Sequence, residues 1–213
     1  MIERLLPAGV VAVEAFTDRP GERPFPGEQE YVAGAVESRR REFVTARRCA
    51  REALATLGFR PVPIPRGRRG QPMWPAGAAG SLTHCDGYRA AAVCRVGEPA
   101  TSLGIDAELH VPLPDGVLDV VTVAAEHDLL ARLAADRPAV HWDRLLFSAK
   151  ESIFKVWYPP TQRELGFEEC RLDIDPVAGT FTGTMLIDAP PALHTITGRY
   201  RVERGLVATA ASA

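Results

Sequence analysis

Neither a CxxC pair nor an apolar run long enough to cross a bilayer occurs in these 213 residues. The four cysteines, Cys49, Cys85, Cys94 and Cys170, are scattered without zinc-finger spacing. They read as free, buried thiols of a reducing compartment. No excess of either charge is present: 25 Lys and Arg face 27 Asp and Glu, for a net charge of −2. No global field therefore draws the chain to nucleic acid or to a membrane, and any electropositive site is local. The first residues, MIERLLPAGVVAVEAF, set charges ahead of a short apolar run and lack a signal-peptide pattern. A cytoplasmic location is expected. What is present, 46% hydrophobic and 24% charged residues, is the composition of a folded globular protein of one large domain or two small ones.

Along the chain, residues 10–16 (VVAVEAF) predict a first strand, followed by the Pro- and Gly-dense loop TDRPGERPFPGEQE. Helical period then runs over residues 29–57, where Phe43, Ala46, Ala50, Leu54 and Leu57 recur at three- and four-residue steps and Gly58 stops the helix. Residues 61–80 hold too much Pro and Gly for regular structure, and a long irregular loop is more often functional than idle. Residues 88–96 and 101–109 predict two strands joined as a hairpin by GEPA. Helices are expected over about 124–135 and from His141 to just before Pro159-Pro160, and strands with turns at Gly179 and ERG (203–205) over the remainder. The class is α+β, in two halves of helix plus antiparallel strands, residues 1–102 and 103–213. No internal sequence repeat stands out.

Four segments carry chemistry. In LGIDAEL (103–109) the apolar residues alternate with Gly104, Asp106 and Glu108, so the two acids share a strand face and suit a hard cation such as Mg²⁺. A DxE alone is equally a solvated polar face. In FSAKESIFKVW (147–157), Glu151 and Lys155 stand four apart with the acid first, beside Lys150 and amid Phe147, Phe154 and Trp157. That spacing allows an ordinary surface ion pair or a functional cluster. SLTHCDGY (81–88) offers Ser81, Thr83 and His84, which as a loop could present hydroxyls, amides and an imidazole to phosphate oxygens. Cys85 is a poor nucleophile here, because adjacent residues of an extended segment point apart and His84 could not activate it. Finally, ESRRREFVTARRCAREAL aligns Arg40, Arg47 and Arg51, with Arg39 close by, and Arg66, Arg68 and Arg69 follow in the Pro/Gly loop. These are either a solvated face or a basic pocket for a phosphorylated ligand.

In this order and at these distances, SLTHCDGY, GIDAE and FSAKESIFK, preceded by QPMWP, resemble the signatures of the 4′-phosphopantetheinyl transferases. The resemblance is to the larger, pseudo-dimeric type that activates siderophore, polyketide and non-ribosomal peptide assembly lines, and REFVTARRCAREALATLG and GRYRVERGLVATA look like its actinobacterial branch. It covers most of the chain from about Arg39 onward. One departure is Phe147, where the family more often has Trp.

The resemblance implies an active site in the cleft between two similar halves of a monomer. It implies Asp106, Glu108 and Glu151 as ligands of Mg²⁺ (with Mn²⁺ as the alternative), and coenzyme A as co-substrate. His84, beside Thr83, would contact coenzyme A phosphate and Lys155 the pyrophosphate, with Lys150 as a second donor. Arg39, Arg47 and Arg69 would serve the 3′-phosphate and adenine end, Arg40 being the alternative to Arg39. The acceptor is a serine of an apo acyl or peptidyl carrier protein, and Glu151, directly or through a water, is the base. The competing readings are a Mg²⁺-dependent pyrophosphate hydrolase of coenzyme A or another nucleotide, and a coenzyme A sensor or assembly-line docking partner.

Overall fold

The computed structural model describes all 213 residues, in two compact units: Pro7–Thr101, and Ser102–Ala213 together with Met1–Leu6. The first six residues thus go with the later unit and not with residues 7–102. Their 3₁₀ turn, Ile2–Leu5, buries Ile2 and Leu5 and packs against two of that unit's strands, Thr195–Glu203 (β8) and Leu206–Ser212 (β9).

The first unit packs one helix on a small sheet. Val11–Ala15 (β1) pairs antiparallel with Tyr88–Val96 (β3), which pairs on its other side with Ala78–Cys85 (β2). Helix α1, Glu37–Thr56, lays Cys49, Ala50, Ala53 and Leu54 against Val11, Val13, Ala91 and Val93. Three short side chains let the helix approach the sheet closely. The helix expected over 29–57 is broken: a 3₁₀ turn, Gln29–Val32, precedes Gly34, and an extended Val36 starts α1 anew.

Two local expectations fail here. SLTHC is not a loop but the end of β2, turned into β3 by Asp86-Gly87, with Gly87 at φ 69°. The GEPA hairpin does not form. Pro99–Ala100 (β4) lies parallel to the end of β3, while Leu103–Leu109 (β5) enters a different sheet. The backbone explains the switch, because Ser102 and Ala213 exchange both N–H···O bonds (3.0 and 3.1 Å) and set β5 in register with the C-terminal strand.

The second unit is a five-stranded antiparallel sheet ordered β5-β9-β8-β7-β6, where β6 is Cys170–Asp175 and β7 Thr180–Met185. Arg204 and Gly205 both take positive φ (57° and 73°) in the two-residue turn between β8 and β9, the conformation a type I′ hairpin demands. Short α2 (Val117–Val121), α3 (Ala124–Asp136) and the 20-residue α4 (Trp142–Thr161) complete it. Leu145, Leu146, Ala149, Ile153 and Val156 bury one stripe of α4 with Leu172, Phe181, Ile196 and Val207. Contrary to expectation, Pro159 and Pro160 lie inside α4. Pro160 cannot donate to the Val156 carbonyl, and the Ser102 hydroxyl donates there instead, at 2.8 Å. No helix is long and apolar enough to cross a membrane.

Candidate active site

The acids of the second unit gather where β5 meets α4. Strand alternation places Gly104, Asp106 and Glu108 on one face, and Gly104 shows that this face is turned to α4: a methyl built on it would overlap the Ser152 carbonyl oxygen. From α4, Arg144, Glu151 and Lys155 stand seven and four residues apart, on one side of the helix. Lys155 Nζ donates to Asp106 Oδ1 at 2.8 Å and to the Ile105 carbonyl at 2.9 Å. Arg144 Nη1 meets Glu108 Oε2 at 3.1 Å, while its other donors bond the Val111 and Pro112 carbonyls.

Burial raises the pKa of Glu151 and of Glu108, and the charge of Asp106 raises both further, against the opposing pull of Lys155. Asp106 is thus within electrostatic reach of both glutamates. Beside Glu151 a cavity of about 210 Å³, lined by Phe154, Leu165 and Phe167 among others, supplies the apolar side of its surroundings. Two of the three acids are already engaged by cations, and as they stand no three acids, histidines or cysteines are arranged to hold a metal. The donor set still fits a hard divalent ion. Three carboxylates face two cations, the surplus is negative, and all the available donors are oxygens.

Lys150 also lines the cavity beside Glu151, but its ammonium is taken by other partners. It is 3% exposed, and its ammonium donates to Glu126 Oε2 and to the Phe167 carbonyl, each at 2.8 Å. Glu126, equally buried, also accepts from the amides of Val123 and Leu172. This is a satisfied internal ion pair joining α3, α4 and β6, and it leaves Lys150 committed to the core of the unit instead of aimed at a phosphate.

In the first unit, Arg39 and His84 come together. The guanidinium can only donate, so at 2.8 Å from Arg39 Nη1 the His84 Nε2 is the acceptor. Glu42 stands 3.2 Å from Arg39 and 3.5 Å from His84 Nδ1. Arg40 is half-buried. Thr83, buried, projects from the opposite face of β2, so the structure does not group it with His84.

Arg47 is buried as well. Its Nε donates to the Ile64 carbonyl at 3.0 Å and its guanidinium carbon lies 3.6 Å from the centroid of the Phe43 ring. Burial, opposed by Glu28 and reinforced by Arg66 and Arg51, lowers its pKa to about 10. Arg66 is a loop arginine that Arg47 feels. Arg69 is exposed, its backbone amide bonded to Gln71.

Sequence reasoning passed over Arg144, whose seven- and four-residue spacing to Glu151 and Lys155 was the available signal. It also passed over Glu28 and Glu42, for which local sequence holds none. The four cysteines are free, three buried and Cys85 half-buried.

Carboxylate oxygens and an ammonium gathered on one face are groups that phosphoryl transfer uses. Family-wide sequence patterns then specify which transfer. Residues 27–94 match the 4′-phosphopantetheinyl transferase N-terminal domain, and residues 102–210 the 4′-phosphopantetheinyl transferase superfamily. The chain is similar to the 4′-phosphopantetheinyl transferase Svp of Streptomyces mobaraensis, at 54% identity over 99% of this chain and 88% of that protein. It is also similar, at 45% identity, to PptT of Mycobacterium tuberculosis (99% and 96% covered) and Npt of Nocardia iowensis (99% and 98%). The chain belongs to the 4′-phosphopantetheinyl transferase family and is an enzyme of that class. The hydrolase alternative finds no support in these comparisons.

Proposed function

We propose that this enzyme moves 4′-phosphopantetheine from coenzyme A to a serine of apo acyl or peptidyl carrier proteins, with Asp106, Glu108 and Glu151 holding Mg²⁺ or Mn²⁺ at the pyrophosphate. The observation that carries the metal assignment is the surplus of carboxylate over cation where β5 meets α4, with Asp106, Glu108 and Glu151 against Arg144 and Lys155. When bound there, the metal supplies neutralisation of the charge that builds on the phosphate oxygens.

The rest is done by the chain. Lys155 uses two of its three donors on Asp106 and the Ile105 carbonyl, which aims the ammonium and leaves one donor for the phosphate that departs. Glu151 receives the serine proton, directly or through a water. The serine oxygen then forms its bond to the β-phosphorus as 3′,5′-adenosine diphosphate leaves. In the first unit Arg39, His84, Arg47 and Arg69, with Arg66 within electrostatic reach of Arg47, take the 3′-phosphate and adenine end. Four free cysteines favour a cytoplasmic setting, and we expect a monomer.

The direct test incubates the protein with coenzyme A, Mg²⁺ and an apo carrier and weighs the carrier. A phosphopantetheine-sized gain that disappears with EDTA is the expected result. Coenzyme A consumed without any gain would restore the hydrolase, and full activity in EDTA would remove the metal. Arg47→Ala is expected to weaken coenzyme A binding by about 1.5–3 kcal/mol in calorimetry. Because Arg47 also holds the Ile64 carbonyl, its melting temperature should fall too. Unchanged affinity would take Arg47 out of the site.

A further inference from the structure

The most deeply buried carboxylate among the basic residues of the first unit has no part in the scheme above. Glu28 is fully buried (0% exposed). Its Oε1 accepts from Arg51 Nη1 at 2.7 Å and from the Ile64 amide at 2.8 Å. The Ile64 carbonyl is held in turn by Arg47 Nε at 3.0 Å. Both backbone groups of one residue, in the middle of the Pro- and Gly-rich segment, are therefore gripped by charged side chains. Ile64 itself is 0% exposed and packs with α1. Two residues on is Arg66, and beyond it the segment is closed by Gly67 N–H to the Gln71 carbonyl (2.7 Å) and Met73 N–H to the Pro65 carbonyl (2.9 Å). The loop is thus a braced arm and not a slack connection, and its brace ends on Glu28.

A buried acid beside a phosphate site is electrostatically the wrong sign, since it repels the ligand the arginines attract. Glu28 is bonded to Arg51 and within electrostatic reach of Arg47, and its bond to the Ile64 amide gives it a mechanical role besides neutralising them. We infer that Glu28 is a positioning residue for the coenzyme A phosphate site: it holds Ile64 and Arg51 so that Arg47 and Arg66 present their guanidiniums in one fixed arrangement. The inference rests on the assignment of these arginines to coenzyme A.

The two roles of a carboxylate predict opposite signs, which makes the test decisive. In a carrier-modification assay with coenzyme A varied, Glu28→Met, which removes the acceptor of the Ile64 N–H, is expected to raise the KM for coenzyme A about tenfold or more, as small misplacements of binding groups do. The kcat should stay within about twofold, because the chemistry occurs at other residues. A purely electrostatic Glu28 would instead give a lower KM in the Met variant. A merely structural one would lower the melting temperature and the active fraction, hence kcat, with KM unmoved. Either result overturns the proposal.

A lone Glu28→Met change strands Arg51 in the interior and could unfold the unit. The neutral pair Glu28→Met with Arg51→Met removes that charge and still leaves the Ile64 N–H without its acceptor. If the double variant keeps the raised KM, Glu28 acts through Ile64 as inferred. If it returns to the parental KM, Glu28 only neutralises Arg51 and the inference falls. Arg47→Ala and Arg66→Ala, run alongside, separate this from the underlying reading. Should both bind coenzyme A as the parent does, the phosphate site itself is misassigned, whatever Glu28 does.

Discussion

Glu151→Gln should lower carrier modification by about 10²–10⁴-fold, the range expected when a proton acceptor is removed from a transfer site. The same substitution should make the metal-free protein slightly more stable. Glu151 has its pKa raised, first by burial and then by Asp106. A carboxyl whose folded pKa lies above its unfolded one contributes stability at low pH that is lost as pH rises through the raised value. Glutamine never ionises and escapes that loss. In EDTA near pH 8 the variant should therefore melt on the order of 2 °C higher. The difference should vanish towards low pH, where the parent carboxyl is protonated. The two measurements bracket the assignment: wild-type-like turnover would end the catalytic role. A lower melting temperature at pH 8 in EDTA would mean that Glu151 is held by favourable contacts and is not a disfavoured charge awaiting a cation. Stability sacrificed at a site that function requires is the usual signature of an active centre.

How much of this was legible beforehand depended on whether a feature was local. The pairing of Asp106 with Glu108 follows from strand alternation alone, and the turn at Arg204-Gly205 from its glycine. So do α3 and the apolar stripe of α4, because periodicity reports burial directly. The misreadings share one cause, competition between local preference and distant partners. GEPA reads as a hairpin, but Ser102 has a better partner in Ala213, more than a hundred residues away. Pro159-Pro160 reads as a stop, but the hydroxyl of Ser102 replaces the donor that Pro160 lacks. SLTHC reads as loop, although the Asp-Gly after it is a turn signal between two strands. At the site, residue types showed that a charge cluster exists but not which charges meet. Lys150 and Lys155 are equivalent on paper. The fold gives one to Glu126 and the other to Asp106, a distinction carried by α3, which neither local motif includes.

Gly104→Ala tests whether that packing, as well as the charges, makes the site. Gly104 has no positive φ, so alanine is conformationally acceptable, and loss of backbone entropy in the unfolded chain would by itself stabilise by about 0.5–1 kcal/mol. Opposing this, the added methyl would overlap the carbonyl oxygen of Ser152 and stand 2.9 Å from its carbon and 3.1 Å from Val156 Cγ2. Backbone atoms cannot rotate away as a side chain tip can. Relief therefore requires β5 and α4 to separate, and overpacking of this kind costs about 1–3 kcal/mol. The clash should win, giving a net fall in melting temperature. The larger effect falls on catalysis. Ser152 follows Glu151 directly, and Asp106 lies two residues beyond Gly104 on the same strand face, so any separation shifts the acid of the helix against that of the strand. A displacement near 1 Å between reacting groups lowers rates by about 10²-fold, and a loss of at least that size is expected in kcat measured on the folded fraction. Calorimetry of Mn²⁺ binding should show the same defect without reference to turnover. An alanine variant as active and as stable as the parent would mean that the close approach of β5 to α4 is incidental and that the acids hold their geometry by charge alone.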